Sequence, residues 1–443
     1  MPYRDKAYLR LRHIFMYFAM TTPMAPTRTD PIFTLLFRRA AALLCTVFML
    51  ALAGCTHTPT DADISTSCER LLPTSRWTGP DPYDIARPSP SPIVRKLDLS
   101  DNGELMDRCQ WTDILVEIRG GPSLASGKDR SKFVVFYVHG WKHNSAPADT
   151  DLSNFTALIA ALSHAKRDSG QDVVGVFIGW PGASSPIPGL KNLTFWGRKS
   201  AADRAIAVAN VTKLLGAAAN IKRLRRDPKD FITAIGHSFG ARILFSSVAP
   251  VLLHNQSMAH PGSEGIYDVF YGAANLTILL NPAFEASRFS AFNSNRRTEE
   301  QYNRAQEPTL LTISTSNDYP TKFAFPAGQI LTGRWTERER TTLGNYDGYV
   351  THRLERTGSP GRRDTDTRWF DHFCDTSMQG HGGEALCLTR TAPEKQPGNP
   401  FLVAKTDGAI LDGHNGIWKD TFQTWLIKFI EETERAQARQ AKP

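Results

Sequence analysis

Two hydrophobic patterns alternate along the chain from about residue 130 onward. Phe133–Val138 (FVVFYV) is an unbroken apolar run rich in β-branched and aromatic residues. Val173–Ile178, Phe231–Ile235, Leu276–Leu280, Thr309–Ser314 and Phe401–Ala404 repeat that character. Short continuous runs of this kind read as strands buried on both faces. Between them the period changes. Ser153–Arg167 places Phe155, Leu158, Ile159 and Leu162 on one helical stripe, Ala201–Ala218 reads as a second helix, and Ala241–Phe245 opens a third. Lys419–Gln437 closes the chain, with Phe422, Trp425, Leu426, Phe429 and Ile430 on one face. The alternation predicts an α/β fold: a mostly parallel central sheet with helices on both faces. In such sheets functional sites lie beyond the carboxyl ends of the strands.

Four stretches stand outside the alternation. Thr56–Pro92 is rich in Thr, Ser, Asp and Pro, the composition of a flexible tether. Ile93–Arg119 is more structured, and Asp107–Ile118 has helix-like spacing. Asn281–Asn303 mixes Phe284, Phe289 and Phe292 with Arg288, Arg296 and Arg297, and reads equally as a cap or as a surface connection. Thr357–Pro400 is polar and rich in Gly and Pro, an excursion from the domain. The expected organisation is therefore 1–54, 55–92 and a domain over 93–443 with an N-terminal extension. That length is ample for one α/β core.

Arg38-Arg39 precede an apolar run, Ala40–Ala53, of about 14 residues, which is too short to span a bilayer comfortably. A basic flank, a short apolar core and small residues make a secretory signal peptide. Leu52-Ala53-Gly54-Cys55 also resembles the lipobox of bacterial lipoproteins. That resemblance implies a lipidated Cys55 as first mature residue and a domain held at the cell envelope outside the cytoplasm. Thr56 in the next position, where aspartate is absent, favours the outer membrane. A second apolar patch, Ile14–Ala19, suits no signal peptide and points to an internal start at Met20 or Met24.

Residues 1–54 carry +5 of the formal +8 charge, leaving +3 for the remainder. That near-balance gives no basis for a nucleic-acid partner. The one basic cluster, Lys222–Arg226, reads as a solvated helix end. Cys68, Cys109, Cys374 and Cys387 remain after the signal, an even number suited to an oxidising compartment. Closeness in sequence favours Cys374–Cys387 and Cys68–Cys109. No cysteine spacing fits a zinc site, and neither a metal nor a cofactor is expected.

The candidate chemistry centres on Phe231–Leu244, FITAIGHSFGARIL. A strand, a sharp turn with Ser238 at its tip and a helix form the arrangement known as a nucleophile elbow. Gly236 and Gly240 permit close strand–helix approach. The helix N-terminus brings amide N–H groups beside the serine oxygen. A serine hydroxyl needs a base, and His414 in Asp412-Gly413-His414-Asn415-Gly416 follows the last strand and precedes the closing helix. The third member orients the imidazole. Asp318, just past the Leu310–Ile313 strand, is the first choice; Glu285 and Asp412 are rivals. Serine, acid, histidine is the order expected of such a site. The amides of Phe239 and of Trp141, in the His139-Gly140-Trp141 loop, are the candidate oxyanion donors. His139 reads as holding that loop, and His237 as a packing residue. Trp141, Trp180, Phe195, Trp196 and Phe239 read either as an acyl pocket or as core.

With these residues the chain resembles the α/β-hydrolase superfamily over roughly 130–435. It is most similar to a group of bacterial hydrolases of unsettled substrate, through VHGWKHN (138–144), GWPG (179–182), LTFWGRK (193–199), NPAFEA (281–286) and DGHNGIW (412–418). The resemblance implies an α/β-hydrolase fold and a serine hydrolase cleaving a small or lipid-like carboxylic ester through an acyl-enzyme. No lipase lid signature is present. The alternatives are a non-catalytic binding scaffold and an acyltransferase on the same fold.

Overall fold

The computed structural model describes residues 92–440, apart from 121–129, 183–194, 263, 332–334, 360–367, 378–382 and 392–397. The signal, lipidation and tether readings, with Cys55 and Cys68, lie outside the described residues. Six long helices and ten strands organise the described chain. In order they are β1 (Ile93–Asp98), α1 (Arg108–Arg119), β2 (Ser131–Val138), α2 (Thr150–Ala165), β3 (Gln171–Gly179), α3 (Phe195–Val208) and α4 (Asn210–Arg225). Then follow β4 (Phe231–His237), α5 (Phe239–Met258), β5 (Leu276–Leu280), β6 (Leu310–Thr315), β7 (His352–Thr357), β8 (His372–Asp375), β9 (Ala385–Arg390), β10 (Phe401–Thr406) and α6 (Asp420–Gln440). Short helical turns fill the remaining connections.

The strands form one sheet in the order β1-β3-β2-β4-β5-β6-β10-β7-β9-β8. Every pairing from β1 to β7 is parallel, and β7–β9 and β9–β8 are antiparallel. This is the α/β-hydrolase arrangement expected from the sequence. β2 shows why its apolar run is unbroken. Val134, Phe136 and Val138 enter one core with α1, α3, α4 and α5, whereas Phe133, Val135 and Tyr137 enter a second core with α2 and α6. Alternate residues face opposite sides of a strand, so where both faces are covered, as over Phe133–Val138, successive positions are all apolar. Burial of each such side chain is worth about 1.5–3 kcal/mol. A one-residue slip of β2 would exchange its two sets of core side chains.

Differences from the sequence reading occur where charge or a local bend breaks the pattern. β1 (IVRKLD) and β7 (HRLERT) interleave charged residues, and β7 presents Arg353 and Glu355 to solvent. The stretch read as one helix over Ala201–Ala218 is two, broken at Ala209, whose φ of 59° is left-handed. Asn281–Asn303 buries Phe284, Phe289 and Phe292 in the core and leaves Arg288, Ser294, Asn295 and Arg296 exposed, as a connection along the surface does. Part of the polar excursion over 357–400 joins the sheet as β8 and β9, and Ala385–Leu388 are buried there.

The expected Cys374–Cys387 bond is present, between residues directly opposite each other on β8 and β9. The pair closes a loop of sequence separation 13 at the far edge of the sheet. Replacing both cysteines with alanine should lower the unfolding free energy by about 3 kcal/mol, because the open chain regains loop entropy. Urea denaturation under oxidising conditions measures this, and an unchanged midpoint would refute it.

Candidate active site

β4 ends in Gly236-His237, and α5 begins at Phe239, so Ser238 alone makes the turn. Its φ of 57° and ψ of −120° lie outside the ordinary regions for a residue with a side chain. Two contacts explain the flanking glycines. A Cβ on Gly240 would lie 2.1 Å from the Val138 carbonyl oxygen, and one on Gly236 would lie 2.7 Å from Ala241 Cα. The helix can therefore approach β2 and β4 closely only with glycine at both positions. The Ser238 N–H donates to Leu280 O at 3.0 Å, and the Ala283 N–H donates to Ser238 O at 3.1 Å.

Three strand ends bring the expected residues together. His414, beyond β10, places Nε2 2.6 Å from Ser238 Oγ. Its Nδ1 lies 2.7 Å from Asp318 Oδ2, beyond β6. Asp318 is fully buried, and its Oδ1 accepts the Thr321 N–H at 3.2 Å. Burial pushes the Asp318 carboxyl up, but the charge and hydrogen bond of His414 outweigh it, and the net shift is downward. The carboxylate thus stays ionised beside the ring. Glu285 is engaged elsewhere: Arg242 Nη1 donates to it at 2.8 Å, Arg288 Nε at 3.0 Å and Gln329 Nε2 at 2.7 Å. Asp412 accepts a 3.5 Å hydrogen bond from Asn317.

The His139-Gly140-Trp141 loop runs against the serine, since a Cβ on Gly140 would lie 3.0 Å from Ser238 Cβ. His139 is the post around which this loop and the Gly179–Gly182 loop are built. The Trp180 N–H donates to His139 Nε2 at 3.0 Å, so Nδ1 carries the proton and donates to Gly140 O at 2.9 Å. Trp180 also donates Nε1–H to His139 O at 2.8 Å and stacks on the ring at 9°. Lys142 N donates to Gly182 O at 2.9 Å and completes the brace. Burial holds the His139 pKa below the usual imidazole range. Trp141, Trp180 and Phe239 are buried within the core packing of one sheet face. The side chains of Phe195 and Trp196 lie outside the described residues.

Asn281, which the sequence reading left without a role, and His237, read there as a packing residue, hold the histidine loop. Asn281 Nδ2 donates to His414 O at 2.9 Å and to Gly413 O at 3.4 Å. Its Oδ1 accepts the Thr315 N–H at 3.0 Å, at the end of β6. From the other side His237 Nε2 lies 2.9 Å from the same His414 carbonyl. A carbonyl only accepts, so Nε2 carries the His237 proton and buried Nδ1 is left an unpartnered acceptor. The loop is anchored farther on by Trp418, whose Nε1–H donates to Asp151 at 2.7 Å, while Tyr137 OH donates to the other oxygen at 2.8 Å. NPAFEA carried Asn281 and DGHNGIW carried His414 and Trp418, but only as parts of a resemblance; the contact of Asn281 with His414 joins positions 133 residues apart. Among the described residues no cluster of His, Cys, Asp and Glu could hold a metal ion.

No family model matches the chain, and no curated protein matches it. Among solved structures, phospholipase PlaB from Legionella pneumophila in complex with thio-NAD aligns at 12% identity and a TM-score of 0.27, covering 70% of this chain and 61% of that one. A second structure of phospholipase PlaB from Legionella pneumophila aligns at 10% identity and 0.25, covering 70% and 63%. The chain thus spans less than two thirds of either.

Burial, and then the neighbouring His414 ring, push the His237 pKa down to about 3. The unfolded chain takes up that proton near pH 6.5 and the folded protein does not. Stability carried by neutral His237 is therefore complete above about 6.5 and declines as pH falls from there toward 3. His237→Gln keeps an N–H donor and removes the titration. It should flatten the stability–pH slope between pH 6 and pH 4 by about 1.4 kcal/mol per pH unit, one proton's worth. Urea unfolding at several pH values measures the slope; equal slopes in the two proteins would place a charge on His237 in the folded state.

Proposed function

We propose that the chain is a serine hydrolase that cleaves a carboxylic ester through an acyl-enzyme intermediate. The observation that carries this reading is the continuous path Asp318 Oδ2, His414 Nδ1, His414 Nε2, Ser238 Oγ, with 2.7 Å and 2.6 Å contacts. His414 Nε2 takes the Ser238 hydroxyl proton as Oγ attacks the ester carbonyl carbon. The imidazolium that forms is stabilised by ionised Asp318. The tetrahedral oxyanion receives the Phe239 and Trp141 amide N–H groups, one at the N-terminus of α5 and one in the loop braced by His139. Collapse breaks the carbon–oxygen bond to the alcohol, which leaves with the proton from His414. Water enters, gives a proton to His414 and attacks the acyl carbon; the acid departs and Ser238 regains its proton.

Asn281 and His237 act in this scheme as positioning residues. They hold the backbone of the base and touch no reacting atom. The reading extends to location: a lipidated Cys55 after a signal over 1–54, a tether over 56–92 and a hydrolase domain facing away from the cytoplasm at the cell envelope. Its support is the Leu-Ala-Gly-Cys sequence and the oxidised Cys374–Cys387 pair, which suits an oxidising compartment. The substrate class is a small or lipid-like ester.

Ser238→Ala should abolish labelling by a fluorophosphonate probe, and persistence of label at wild-type intensity would remove Ser238 from the role. Asp318→Asn should lower kcat on an activated acyl ester roughly 10⁴-fold by stabilising the wrong imidazole tautomer. Glu285→Gln serves as its comparison, and a larger kcat loss there would transfer the acid role to Glu285. Asn281→Ala should lower kcat about tenfold with KM little changed, since it disturbs orientation and leaves the binding surface intact.

A further inference from the structure

A cavity of about 730 Å³ opens at the end of the sheet opposite Ser238. Phe231, the first residue of β4, lines it, whereas Ser238 follows the last. Seven residues of extended strand separate the two by roughly 23 Å. The volume lies within the range of about 300–1,000 Å³ usual for small-molecule sites. The site is therefore distinct from the serine, and it does not depend on the hydrolase reading.

Its walls combine apolar surface with an excess of cations. Pro228, Val269 and Tyr271 supply much of the apolar part, and Lys222, Arg223, Arg226 and Lys229 the charge. None of the four cations meets a carboxylate within ion-pair distance among the described residues. Lys222 Nζ donates to the neutral Asn275 Oδ1 at 2.7 Å, Arg223 to Asn220 Oδ1 at 2.9 Å and Lys229 to Ser169 O at 3.4 Å. The acids in the wall are occupied from behind. Asp230 is paired with Arg225 at 2.7 Å, and Glu434 with Lys166. Asp227 accepts from Ser131 and from the Lys229 amide. The wall thus presents a surplus of positive charge that the protein itself leaves unmatched.

A solvated helix end accounts for part of this cluster, because cations complement the C-terminus of α4. It does not account for Lys229, which lies beyond the C-cap Arg226, or for the partial burial of Lys222. Burial lowers the Lys222 pKa to about 8 despite the nearby charge of Asp230. A half-buried ammonium with only an amide oxygen as its partner gains from a counter-charge.

We propose that this cavity binds a single-chain amphiphile bearing a phosphate head group. Lys222, Arg226 and Lys229 hold the phosphate, and Pro228, Val269 and Tyr271 carry the chain. Several cations in the wall of one cavity favour a phosphate over a singly charged carboxylate. The neighbouring apolar wall favours an amphiphile over free inorganic phosphate.

Isothermal titration of the full chain with octyl phosphate, below its micelle concentration, tests the assignment. One saturable site is expected, with octanoate and inorganic phosphate binding at least about tenfold more weakly. Arg226→Gln with Lys229→Gln, both exposed and free of structural ion pairs, should weaken octyl phosphate about tenfold per cation removed. Lys222→Met should do likewise, and Ser238→Ala should bind as the wild type does. Three results would overturn the proposal: no saturable binding, equal binding of octanoate, or wild-type affinity in the Arg226 and Lys229 variant. Binding confined to phosphatidic-acid vesicles, with none to free octyl phosphate, would also overturn it and assign the face to a membrane surface.

Discussion

The backbone of Ser238 is the constraint on which the rest of the molecule depends. A left-handed conformation costs a residue with a side chain about 1–2 kcal/mol, and nothing local repays it. The repayment comes from β5. Leu280 accepts the Ser238 amide, and Ala283 returns an N–H to the Ser238 carbonyl. On the opposite side β2 lies so close that only a glycine fits at position 240. β4 must therefore sit between β2 and β5, as it does in the sheet order. The same two neighbours provide the HGW loop from one side and Asn281 from the other. Strain at one residue and the topology of the sheet centre are thus parts of a single solution.

Asn281 carries that solution outward. It too is left-handed, with φ of 44°. Its amide N–H donates to Ile313 O, its side-chain oxygen accepts from Thr315, and its side-chain nitrogen donates to His414 O. One residue thereby ties the ends of β5 and β6 to the loop after β10. Loops at strand ends are ordinarily the more mobile parts of a domain. Here the loop bearing His414 is pinned at its carbonyl by two donors and at its far end by Trp418. The distances around Ser238 follow from these ties, which join residues of quite different sequence position.

The physics of burial determined what was legible in the sequence. Strands covered on both faces are mostly apolar at successive positions, so β2 to β6 and β10 announce themselves, and with them the strand ends where Ser238, Asp318 and His414 sit. β1, β7, β8 and β9 lie toward the sheet edges, where one face or one end meets solvent and charged residues break the run. The break at Ala209 has no compositional marker, since neither Gly nor Pro is present there. The choice among Asp318, Glu285 and Asp412 needed three dimensions. Glu285 follows a strand end as Asp318 does, and only the folded chain shows its carboxylate consumed by Arg242, Arg288 and Gln329. Hydrogen bonds to a backbone carbonyl, such as those of His237 and Asn281, leave no pattern in sequence at all.

Three histidines crowd this end of the sheet, and their surroundings divide the work between them. His139 and His237 are fully buried, and burial is the leading cause that lowers both pKa values. Each is fixed in one tautomer by the backbone groups it meets: Nδ1–H in His139, Nε2–H in His237. Neither has a carboxylate in hydrogen-bond contact, so a proton added to either would be a charge without water and without a direct partner. Both are suited to holding loops and unsuited to moving protons. His414 differs in each respect. Its side chain retains 12% exposure, an ionised carboxylate sits on one nitrogen and a hydroxyl on the other. The proton abstraction proposed for Ser238 would thus place its charge on the one ring of the three that has a carboxylate partner. In the mechanism proposed above a neutral His237 matters, because a charged ring with its centroid 4.8 Å from His414 would oppose the protonation proposed for that base.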